Sequence, residues 1–474
     1  RSILLDSKAD LLIYGMAERA LRTVARRLAA GEAISSIRDV RGTVYRLSGK
    51  ETTELKSSIS PDRDLPDSGS ASGYSNLLRL PSFEEDCREK KLFARSFSVQ
   101  MQHADPFSAR PLMEEAAGQC VIQNPPDYPL SQAELDAVYE LPYSRRPHPR
   151  YRAPVPALEE VRFSLVSSRG CFGGCSFCAL TFHQGRIVKG RAHRSLLREA
   201  QTLVRDSEFK GYIHDVGGPT ANFRRPACAH QKERGACPTR QCLFPDPCPQ
   251  LLPDHSDYRV LLKKLREVPG VKKVFVRSGI RYDYLLQDKK QGMAFLEDLC
   301  SYHVSGQLKV APEHVSDRVL QKMGKPGSDV YMQFKNAFSE TNRRIGKKQY
   351  LIPYFISSHP GSTLEDAVQL AEFCRDQHFV PQQVQDFYPT PGTVSTCMYY
   401  TGIDPRTMEP VYVPRGGREK RMQRALLQFN RPENAPIVRE ALRKAGRMDL
   451  IGRGARALVA PEKKSSKQSS KRRK

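Results

Sequence analysis

Three cysteines that lie close together offer the clearest chemistry in this 474-residue chain. Cys171, Cys175 and Cys178 form a CxxxCxxC pattern in a glycine-rich loop. Three thiolates at this spacing can bind three irons of a four-iron cubane and leave the fourth iron without a protein ligand. An iron with an open position can bind a substrate or a cofactor. The alternatives are a zinc site whose fourth ligand lies elsewhere in the chain, or a disulfide beside a lone thiol.

Four more cysteines form a second group in a separate segment. They are Cys228, Cys237, Cys242 and Cys248. The segment is rich in proline and poor in apolar residues, so it cannot supply its own core and needs a bound group to order it. The spacing fits zinc held by four thiolates and an auxiliary iron–sulfur cluster equally well, and free cysteines in a loop are the third alternative.

The first cysteine group follows the first of six strand-like runs, and these runs alternate with helical stretches. The strand-like runs are 161–167, 211–216, 273–278, 307–311, 349–357 and 384–388, and the helical stretches are 194–206, 283–301, 316–323, 331–344 and 364–377. This alternation predicts parallel βα units, arranged either as an open doubly wound sheet or as an incomplete barrel. In both architectures the functional site lies at the carboxyl ends of the strands, where the CxxxCxxC loop stands.

Five segments of the chain resemble the YgiQ-type family of radical S-adenosylmethionine (SAM) proteins. They read KADLLIYG from residue 8, RGCFGGCSFC from residue 169, DVGGPTAN from residue 215, LKVAPEH from residue 308 and QYLIPYFISSHPG from residue 349. The resemblance covers nearly the whole chain and implies an α/β fold with a partial (β/α)6 barrel of the TIM-barrel-like kind. It implies a 4Fe–4S cluster held by Cys171, Cys175 and Cys178, and reductive cleavage of bound SAM to a 5′-deoxyadenosyl radical. The substrate of that radical is unknown, and an electron donor such as flavodoxin or ferredoxin is the implied partner.

The resemblance also assigns cofactor-binding roles to residues near the strand ends. The expected cofactor-binding residues are Phe177, Gly217, Gly218, Ser278, Arg281, Glu313 and Gly361. The two adjacent glycines would meet the amino group of SAM through their backbone, although Pro219 stands where the superfamily carries a glutamate. Ser278 and Arg281 are candidates for the ribose and the carboxylate, and Gly361 lies in the turn that would meet the adenine. Glu313 and His314 are candidates for contact with SAM or for acid–base chemistry.

The domain organisation follows from shifts in composition along the chain. A strand at 9–16, a helix at 18–31 and a strand at 33–47 indicate the trailing part of a Rossmann-like α/β domain whose start is missing. Further helices are expected at 83–103, 130–141, 418–429 and 432–445. The predicted divisions are 1–50 for the N-terminal fragment, 51–156 for linker and extended or helical segments, 157–400 for the radical SAM core with a Cys-rich insertion at 224–253, 401–460 for a small helical region and 461–474 for a disordered basic tail.

Net charge and hydropathy indicate which binding partners and which cellular compartment to expect. The formal net charge of +24 favours polyanionic partners, so nucleic acid could bind through the basic surface. No apolar run is long enough to cross a bilayer, and a cytoplasmic protein is expected.

Three alternatives to the main hypothesis remain open. Two are enzymes: an RNA-modifying relative of the methylthiotransferases and a cobalamin-dependent radical SAM enzyme. The third is a zinc- or cluster-bearing nucleic-acid-binding protein without catalytic activity. A structural metal site is normally closed by four ligands, so the open position of the three-cysteine loop favours an enzyme.

Overall fold

The computed structural model describes residues 1–58 and 76–462. It shows a mixed α/β fold, as predicted, with an N-terminal sheet, a central series of parallel βα units and a helical C-terminal part. Within the described ranges, no helix is long and apolar enough to cross a membrane. Residues 463–474 of the predicted basic tail and 59–75 of the predicted linker lie outside the described residues.

The N-terminal part is a five-stranded sheet with the order β1-β2-β5-β4-β3. Its strands are β1 (Leu11–Ile13), β2 (Thr43–Arg46), β3 (Leu78–Arg79), β4 (Leu112–Ala116) and β5 (Gln119–Gln123). Only β3 and β4 run parallel, and the other neighbours are antiparallel. The helices of this part are α1 (Ile3–Ser7), α2 (Glu18–Ala29), α3 (Gly49–Ser58), α4 (Phe83–Arg88), α5 (Lys90–Gln102) and α6 (Gln132–Tyr139), with a 3₁₀ turn at Ile34–Ser36.

This sheet corrects the expected Rossmann-like fragment at residues 1–50. The second strand begins at Thr43 rather than at residue 33, and it pairs antiparallel with β1, with Leu11 opposite Tyr45. The chain reverses at Gly42, whose φ of +73° glycine adopts without a steric penalty. The predicted division at residue 50 also passes through the sheet, because β3, β4 and β5 come from the range predicted as a linker.

The central part carries the six predicted strand runs as short parallel strands. They are β6 (Leu165–Val166), β9 (Tyr212–Ile213) with β10 (Val216–Gly217), β11 (Lys273–Val274), β12 (Gln307–Glu313), β13 (Tyr350–Ser357) and β14 (Gln385–Asp386). Parallel ladders join β6 to β10, β9 to β11, β12 to β13 and β13 to β14. Because β9 and β10 belong to one run that is interrupted at residues 214 and 215, and Phe275 bonds to both sides of the interruption, β6, β9, β10 and β11 form one half-sheet. Strands β12, β13 and β14 form the other, and the runs follow one another in sequence order within each. In the part of the chain that the structure describes, no ladder joins β11 to β12.

Helices cover these half-sheets and form the main hydrophobic core. They are α7 (Pro156–Val161), α8 (Leu180–Gln184), α9 (His193–Val204), α10 (Ala229–Arg234), α11 (Ser256–Arg266), α12 (Tyr282–Gln287), α13 (Gly292–Asp298), α14 (Asp317–Met323), α15 (Ser328–Arg344) and α16 (Leu364–Asp376), with a π-helical turn at Leu299–His303. Leu196 of α9, Leu261 of α11 and Phe334 of α15 are fully buried in this core. Helix α11 was not predicted, because the proline-rich insertion separates it from its strand.

The C-terminal part contains the two predicted helices and packs onto α16. Its helices are α17 (Val394–Thr401), α18 (Gly417–Leu427) and α19 (Ala435–Lys444), with 3₁₀ turns at Pro432–Asn434 and Met448–Leu450. Leu426 of α18 and Leu442 of α19 are fully buried in one cluster with Val368 of α16. This apolar contact fixes the C-terminal part against the last helix of the central series.

Candidate metal and cofactor site

The CxxxCxxC loop leaves the first parallel strand and is held by backbone contacts. Immediately before it, β7 (Ser168–Arg169) pairs antiparallel with β8 (Lys189–Gly190). Gly170 has a φ of +84°, and a Cβ at this position would overlap the carbonyl oxygen of Ile187. The backbone N–H of Cys171 then donates to the carbonyl of Gly185 at 3.0 Å. The loop can adopt this path only with a glycine at position 170.

The far side of the same loop is held by later parts of the chain. The N–H of Ser176 donates to the carbonyl of Met323 at 2.8 Å, and the N–H of Ser395 donates to the carbonyl of Ser176 at 2.8 Å. The Arg406 guanidinium donates to the Ser176 hydroxyl at 3.2 Å. The C-terminal part therefore positions the cysteine loop directly.

The three thiols of the loop are partly buried, free of disulfides and in polar contact. The Cys171 Sγ lies 3.5 Å from the Thr220 hydroxyl, and the N–H of Gly173 donates to it at 3.4 Å. The Arg281 Nη1 donates to the Cys175 Sγ at 3.4 Å. Burial raises the pKa of Cys171 and raises the pKa of Cys178 to about 11. The thiolates that a metal centre requires therefore need positive charge beside them.

The three thiols of the loop are donors of the kind that an iron–sulfur cluster requires. Cys171, Cys175 and Cys178 are close enough for each charge to act on the next. A cubane accepts thiolates at separate corners, so its ligands need not converge on one point. The donor set of the loop thus fits a cluster bound by three thiolates.

Arg281, predicted to bind the carboxylate of SAM, is already paired within the chain. Its guanidinium makes two hydrogen bonds to the Asp283 carboxylate and a third to the Cys175 thiol. Although burial opposes both charges, this ion pair raises the pKa of Arg281 and lowers that of Asp283. Arg281 therefore brings a fixed positive charge to the cysteine loop, with part of its guanidinium already engaged by Asp283.

Ser278 and Gly217 lie against the carboxylate of Asp215, a residue that the sequence did not predict to belong to the site. The side chain of Asp215 accepts from the N–H of Arg277 at 2.7 Å, from the N–H of Ser278 at 3.0 Å and from the Ser278 hydroxyl. A Cβ on Gly217 would overlap the Ser278 hydroxyl, and one on Gly218 would lie 2.6 Å from the carbonyl of Ser168. Close packing alone thus requires both glycines, and it joins the ends of the first three strands.

Among the predicted site residues, Glu313 has a buried carboxylate oxygen without a hydrogen-bond partner. It ends β12 with a φ of +70°, its side chain is buried, and its Oε2 has no hydrogen-bond partner. Burial raises its pKa to about 7, against the opposite influence of Lys325 and Arg281. Its charge also acts on the Cys178 thiol. A buried acid with an unused oxygen beside the cysteine loop can accept a hydrogen bond from a bound cationic or hydroxyl group.

The two histidines at the strand ends are neutral and engaged within the chain. Burial lowers the pKa of His314 to about 4, and its Nδ1 accepts from the N–H of Ser316 at 3.0 Å. Burial also lowers the pKa of His359 to about 3, and its Nε2 lies 2.6 Å from the Ser395 hydroxyl. Burial therefore disfavours the charged imidazole at both positions.

Phe177 and Gly361 border the histidine turn. The Phe177 ring meets the His359 ring edge-on at a centroid distance of 6.2 Å. Gly361 has a φ of +93°, and its N–H donates to the carbonyl of Tyr412 at 2.7 Å. That N–H is therefore used by the C-terminal part, whereas the hydroxyl of Ser358 nearby is buried without a partner.

The second cysteine group comes together beside the first loop. Its members are partly buried and free of disulfides, and Cys228, Cys237 and Cys248 all lie close enough to act on the charge of Cys242. The other five cysteines do not join either group. Cys120, Cys300, Cys374 and Cys397 are buried, whereas Cys87 is exposed.

A cavity of about 240 Å³ opens between these groups and the N-terminal part. Its lining includes Cys175, Phe182, Arg186, Gln241 and Arg406. It lies against the cysteine loop, and its lining does not include the residues at the ends of the other parallel strands. The cavity gives the Cys175 side of the loop access to a space large enough for a small ligand.

Sequence reasoning missed four polar residues of this site for identifiable reasons. Thr220 and Asp215 lie within a quoted motif but carried no spacing signal, and Asp283 stands two positions from its partner Arg281. Arg406 reaches the loop from 230 positions away, which local patterns cannot reveal.

Comparison with known proteins gives two family matches. Residues 1–164 match the family described as Radical SAM N-terminal, and residues 382–474 match a domain of unknown function, DUF3362. A UPF0313 protein of Clostridium botulinum (strain 657 / Type Ba4) is 51% identical over 461 residues, which cover 97% of this chain and 68% of the relative. A UPF0313 protein of Clostridium perfringens (strain 13 / Type A) is 50% identical, with coverage of 97% and 66%. The chain spans about two thirds of the length of these relatives.

Two solved structures show weaker likeness. The radical SAM methyltransferase TsrM from Kitasatospora setae, with tryptophan substrate and the SAM analogue aza-SAM bound, is 11% identical with a TM-score of 0.38, and the match covers 81% of this chain and 52% of TsrM. The cobalamin-dependent radical SAM enzyme OxsB, with aqua-cobalamin bound, is 10% identical with a TM-score of 0.40, and the match covers 72% and 56%. Likenesses this weak assign no reaction.

Proposed function

The chain belongs to the UPF0313 family of radical SAM proteins, and we propose that it is an enzyme that uses a 4Fe–4S cluster to cleave SAM reductively. Cys171, Cys175 and Cys178 are the cluster ligands. The observation that carries the proposal is the arrangement of three free thiols in one loop at the carboxyl end of the first parallel strand. When bound, the cluster supplies an electron that converts SAM to methionine and a 5′-deoxyadenosyl radical able to abstract a hydrogen atom from a substrate.

Residues of the chain stabilise negative charge on the thiolates that would bind the cluster. The fixed guanidinium of Arg281 donates to the Cys175 sulfur, and its charge acts against the burial that raises the pKa of Cys171. The backbone N–H of Gly173 donates to the Cys171 sulfur. Hydrogen bonds and positive charge near cluster sulfurs tune the reduction potential of the cluster. The ion pair with Asp283 keeps the guanidinium in place.

Glu313 is the residue best suited to hold SAM. Its unpartnered Oε2 can accept a hydrogen bond from the ammonium or a ribose hydroxyl of SAM, and the buried hydroxyl of Ser358 offers a second polar group. A bound cation would lower the pKa of Glu313 from about 7 and keep the carboxylate ionised at neutral pH. Ser278 and Gly217 contribute through their packing around Asp215.

The two half-sheets support a partial (β/α)6 barrel for this function. Their six parallel strands follow sequence order, and the cysteine loop, Glu313 and the His359 turn all stand at carboxyl ends. A one-electron donor of the flavodoxin or ferredoxin class is the partner that the reaction requires. The substrate is not specified by these residues.

The proposal is tested by anaerobic reconstitution of the chain with iron and sulfide. Wild-type protein is expected to release 5′-deoxyadenosine from SAM when dithionite is added. Cys175→Ala should bind less iron in this loop and release none. Cys87→Ala, which alters an exposed cysteine outside both groups, is the matched control and should behave as wild type. Release of 5′-deoxyadenosine by Cys175→Ala at the wild-type rate would contradict the assignment.

A further inference from the structure

The strands of the central part turn one of their two faces towards the helices. Along a strand, successive side chains point to opposite faces. Ile213 of β9, Val274 of β11 and Leu308 of β12 are buried in the core that the covering helices form. The side chains on either side of each of these residues therefore belong to the opposite face of the strands, away from that core.

This opposite face, the inner face, carries aromatic rings that solvent reaches. Its members are Tyr212, Lys273, Phe275, Arg277, Lys309 and Tyr354. Tyr212 is 40% exposed and Tyr354 is 41% exposed. The rings of Tyr212 and Phe275 stack with centroids 6.4 Å apart, and the Arg277 guanidinium lies 5.9 Å from the centre of the Phe275 ring. A partner with flat rings of its own can stack on these side chains.

Three cations lie among these rings and make the inner face basic. Arg277 forms an ion pair with Glu160 at 3.3 Å, but the Glu160 side chain is 75% exposed, so water screens this pair. Among the residues that the structure describes, no carboxylate pairs with Lys273 or Lys309. The nearby Asp215 carboxylate already accepts two backbone hydrogen bonds. The surplus positive charge favours a partner that carries several negative charges.

The inner face is wider than a single small anion. It crosses β9, β11, β12 and β13, and neighbouring strands lie about 4.8 Å apart, so its width is about 14 Å or more. Successive nucleotides of one stacked strand are about 3.4 Å apart. Three or more nucleotides of a single strand can therefore lie across the face, with bases stacked on its rings and phosphates beside its cations.

We propose that the inner face binds single-stranded RNA. Unpaired RNA offers bases for stacking on aromatic side chains, whereas a duplex keeps its bases stacked inside. The exposed amides of Gln307 and Gln385 lie on the same face, where Gln385 already accepts the hydrogen bond of the Tyr354 hydroxyl. Their N–H groups can donate to the 2′-hydroxyl, which RNA has and DNA lacks. The net charge of +24 suits the same partner.

This inference goes beyond the proposed function, which requires only the cluster and SAM. The inner face ends at the edge where Glu313 and the cysteine loop stand. Bound RNA would therefore lie beside the proposed SAM site. Binding can be measured without SAM cleavage, so failure of either proposal leaves the test of the other intact.

Fluorescence anisotropy of a labelled oligouridylate of about 12 nucleotides tests binding to the full reconstituted chain. Arg277→Gln with Lys309→Gln removes two charges from the inner face. Lys263→Gln with Lys264→Gln removes two exposed charges from α11 and is the matched control. Each phosphate contact contributes about 0.7 to the slope of log K against log salt, so the inner-face variant should lower that slope by about 1.4 and the control should keep the wild-type slope. Equal slopes for the two variants would overturn the proposal.

Removal of the rings gives an independent readout at constant salt. Phe275→Leu with Tyr354→Leu keeps apolar side chains in place and should weaken binding of the oligouridylate roughly tenfold to a hundredfold. Tyr302→Leu removes an exposed ring that lies under Arg266 of α11, and it should bind as wild type. Thermal unfolding followed by circular dichroism verifies that each variant is folded.

Two competing ligands test the identity of the partner. A DNA strand of the same sequence and the same RNA paired with its complement should both bind more weakly than the single-stranded RNA. Equal binding of the DNA or of the duplex would overturn the assignment to single-stranded RNA, and wild-type affinity of a folded Phe275→Leu, Tyr354→Leu variant would overturn the assignment to the inner face.

Discussion

Replacing Glu313 with glutamine should make the metal-free protein more stable at alkaline pH and less able to bind SAM. The carboxyl is buried, and its pKa stands at about 7 instead of the ordinary 4.5. A raised carboxyl pKa means that the folded chain holds the proton more tightly than the unfolded chain does. Its contribution to stability is therefore intact below about pH 4.5 and is lost as the pH rises through 7.

The size of the effect follows from the two pKa values. Each pH unit between them is worth about 1.4 kcal/mol, so ionisation of Glu313 costs about 3 kcal/mol of folding free energy at pH 8. Glu313→Gln has no charge to bury and should not show this loss. Between pH 5 and pH 8, the wild-type unfolding free energy should fall by roughly 2.5 kcal/mol more than that of the variant, because other titrating groups cancel in the comparison.

Urea unfolding of the metal-free, reduced proteins at pH 5, 6.5 and 8 measures this difference. Glu409→Gln, at an exposed glutamate, is the matched control and should follow wild type at every pH. The reconstituted Glu313→Gln protein should bind SAM roughly tenfold to a hundredfold more weakly in equilibrium dialysis, the loss expected for one hydrogen bond to a charged group. Parallel pH profiles for wild type and Glu313→Gln would refute the reasoning.

Three further changes test the structure around the site. Gly170→Ala should cost about 2 kcal/mol or more and reduce iron uptake, because its φ of +84° and the Ile187 carbonyl leave no room for a Cβ; normal iron content would contradict this. Arg281→Gln should destabilise the fold by about 3–5 kcal/mol because Asp283 is left buried and unpaired, and adding Asp283→Asn should restore most of the loss in thermal unfolding. Leu426→Ala should lower the free energy of unfolding in urea by about 2–5 kcal/mol, because Leu426 is buried in the C-terminal core with Val368 and Leu442. The iron content should stay unchanged, because this core does not include the cysteine loop. A fall in iron content for this last variant would contradict the expectation that Ser395 and Arg406 hold the loop independently of this apolar core.

Local patterns predicted the central part of the fold well. Most strand runs and helices from 161 to 388 appear close to their predicted positions, because each unit carries its own apolar periodicity. The exceptions are the predicted strand 161–167, which begins only at Leu165, and the predicted helix 283–301, which divides into α12 and α13. The CxxxCxxC loop could be predicted for a similar reason, since its three ligands and its glycines lie within one short segment. The C-terminal helices α18 and α19 likewise show their buried faces in the sequence.

Long-range pairing limited the prediction of the N-terminal sheet. Whether β2 runs parallel or antiparallel to β1 depends on the reversal at Gly42 and on the partner β5, which comes from almost 80 positions later. Neither is visible in the short strands themselves. A strand, a helix and a second strand in succession therefore suggested a parallel unit that the chain does not form.

The same limit applied to individual site residues. Arg281 suited a ligand carboxylate by its chemistry alone, but the fold places Asp283 against it. Glu313 and His314 are neighbours in sequence and differ in environment, since Glu313 keeps an unpartnered oxygen whereas His314 accepts a backbone hydrogen bond. Only the packed structure distinguishes the side chain that is available from the one that is satisfied.

The electron paramagnetic resonance (EPR) spectrum of the reconstituted, reduced protein before and after addition of SAM tests the central claim most directly. SAM at an iron that lacks a protein ligand alters the electronic environment of the cluster. The spectrum of the wild-type protein is therefore expected to change when SAM is added, whereas Cys175→Ala should show no such change. A spectrum that stays the same at saturating SAM would contradict an open iron held by Cys171, Cys175 and Cys178.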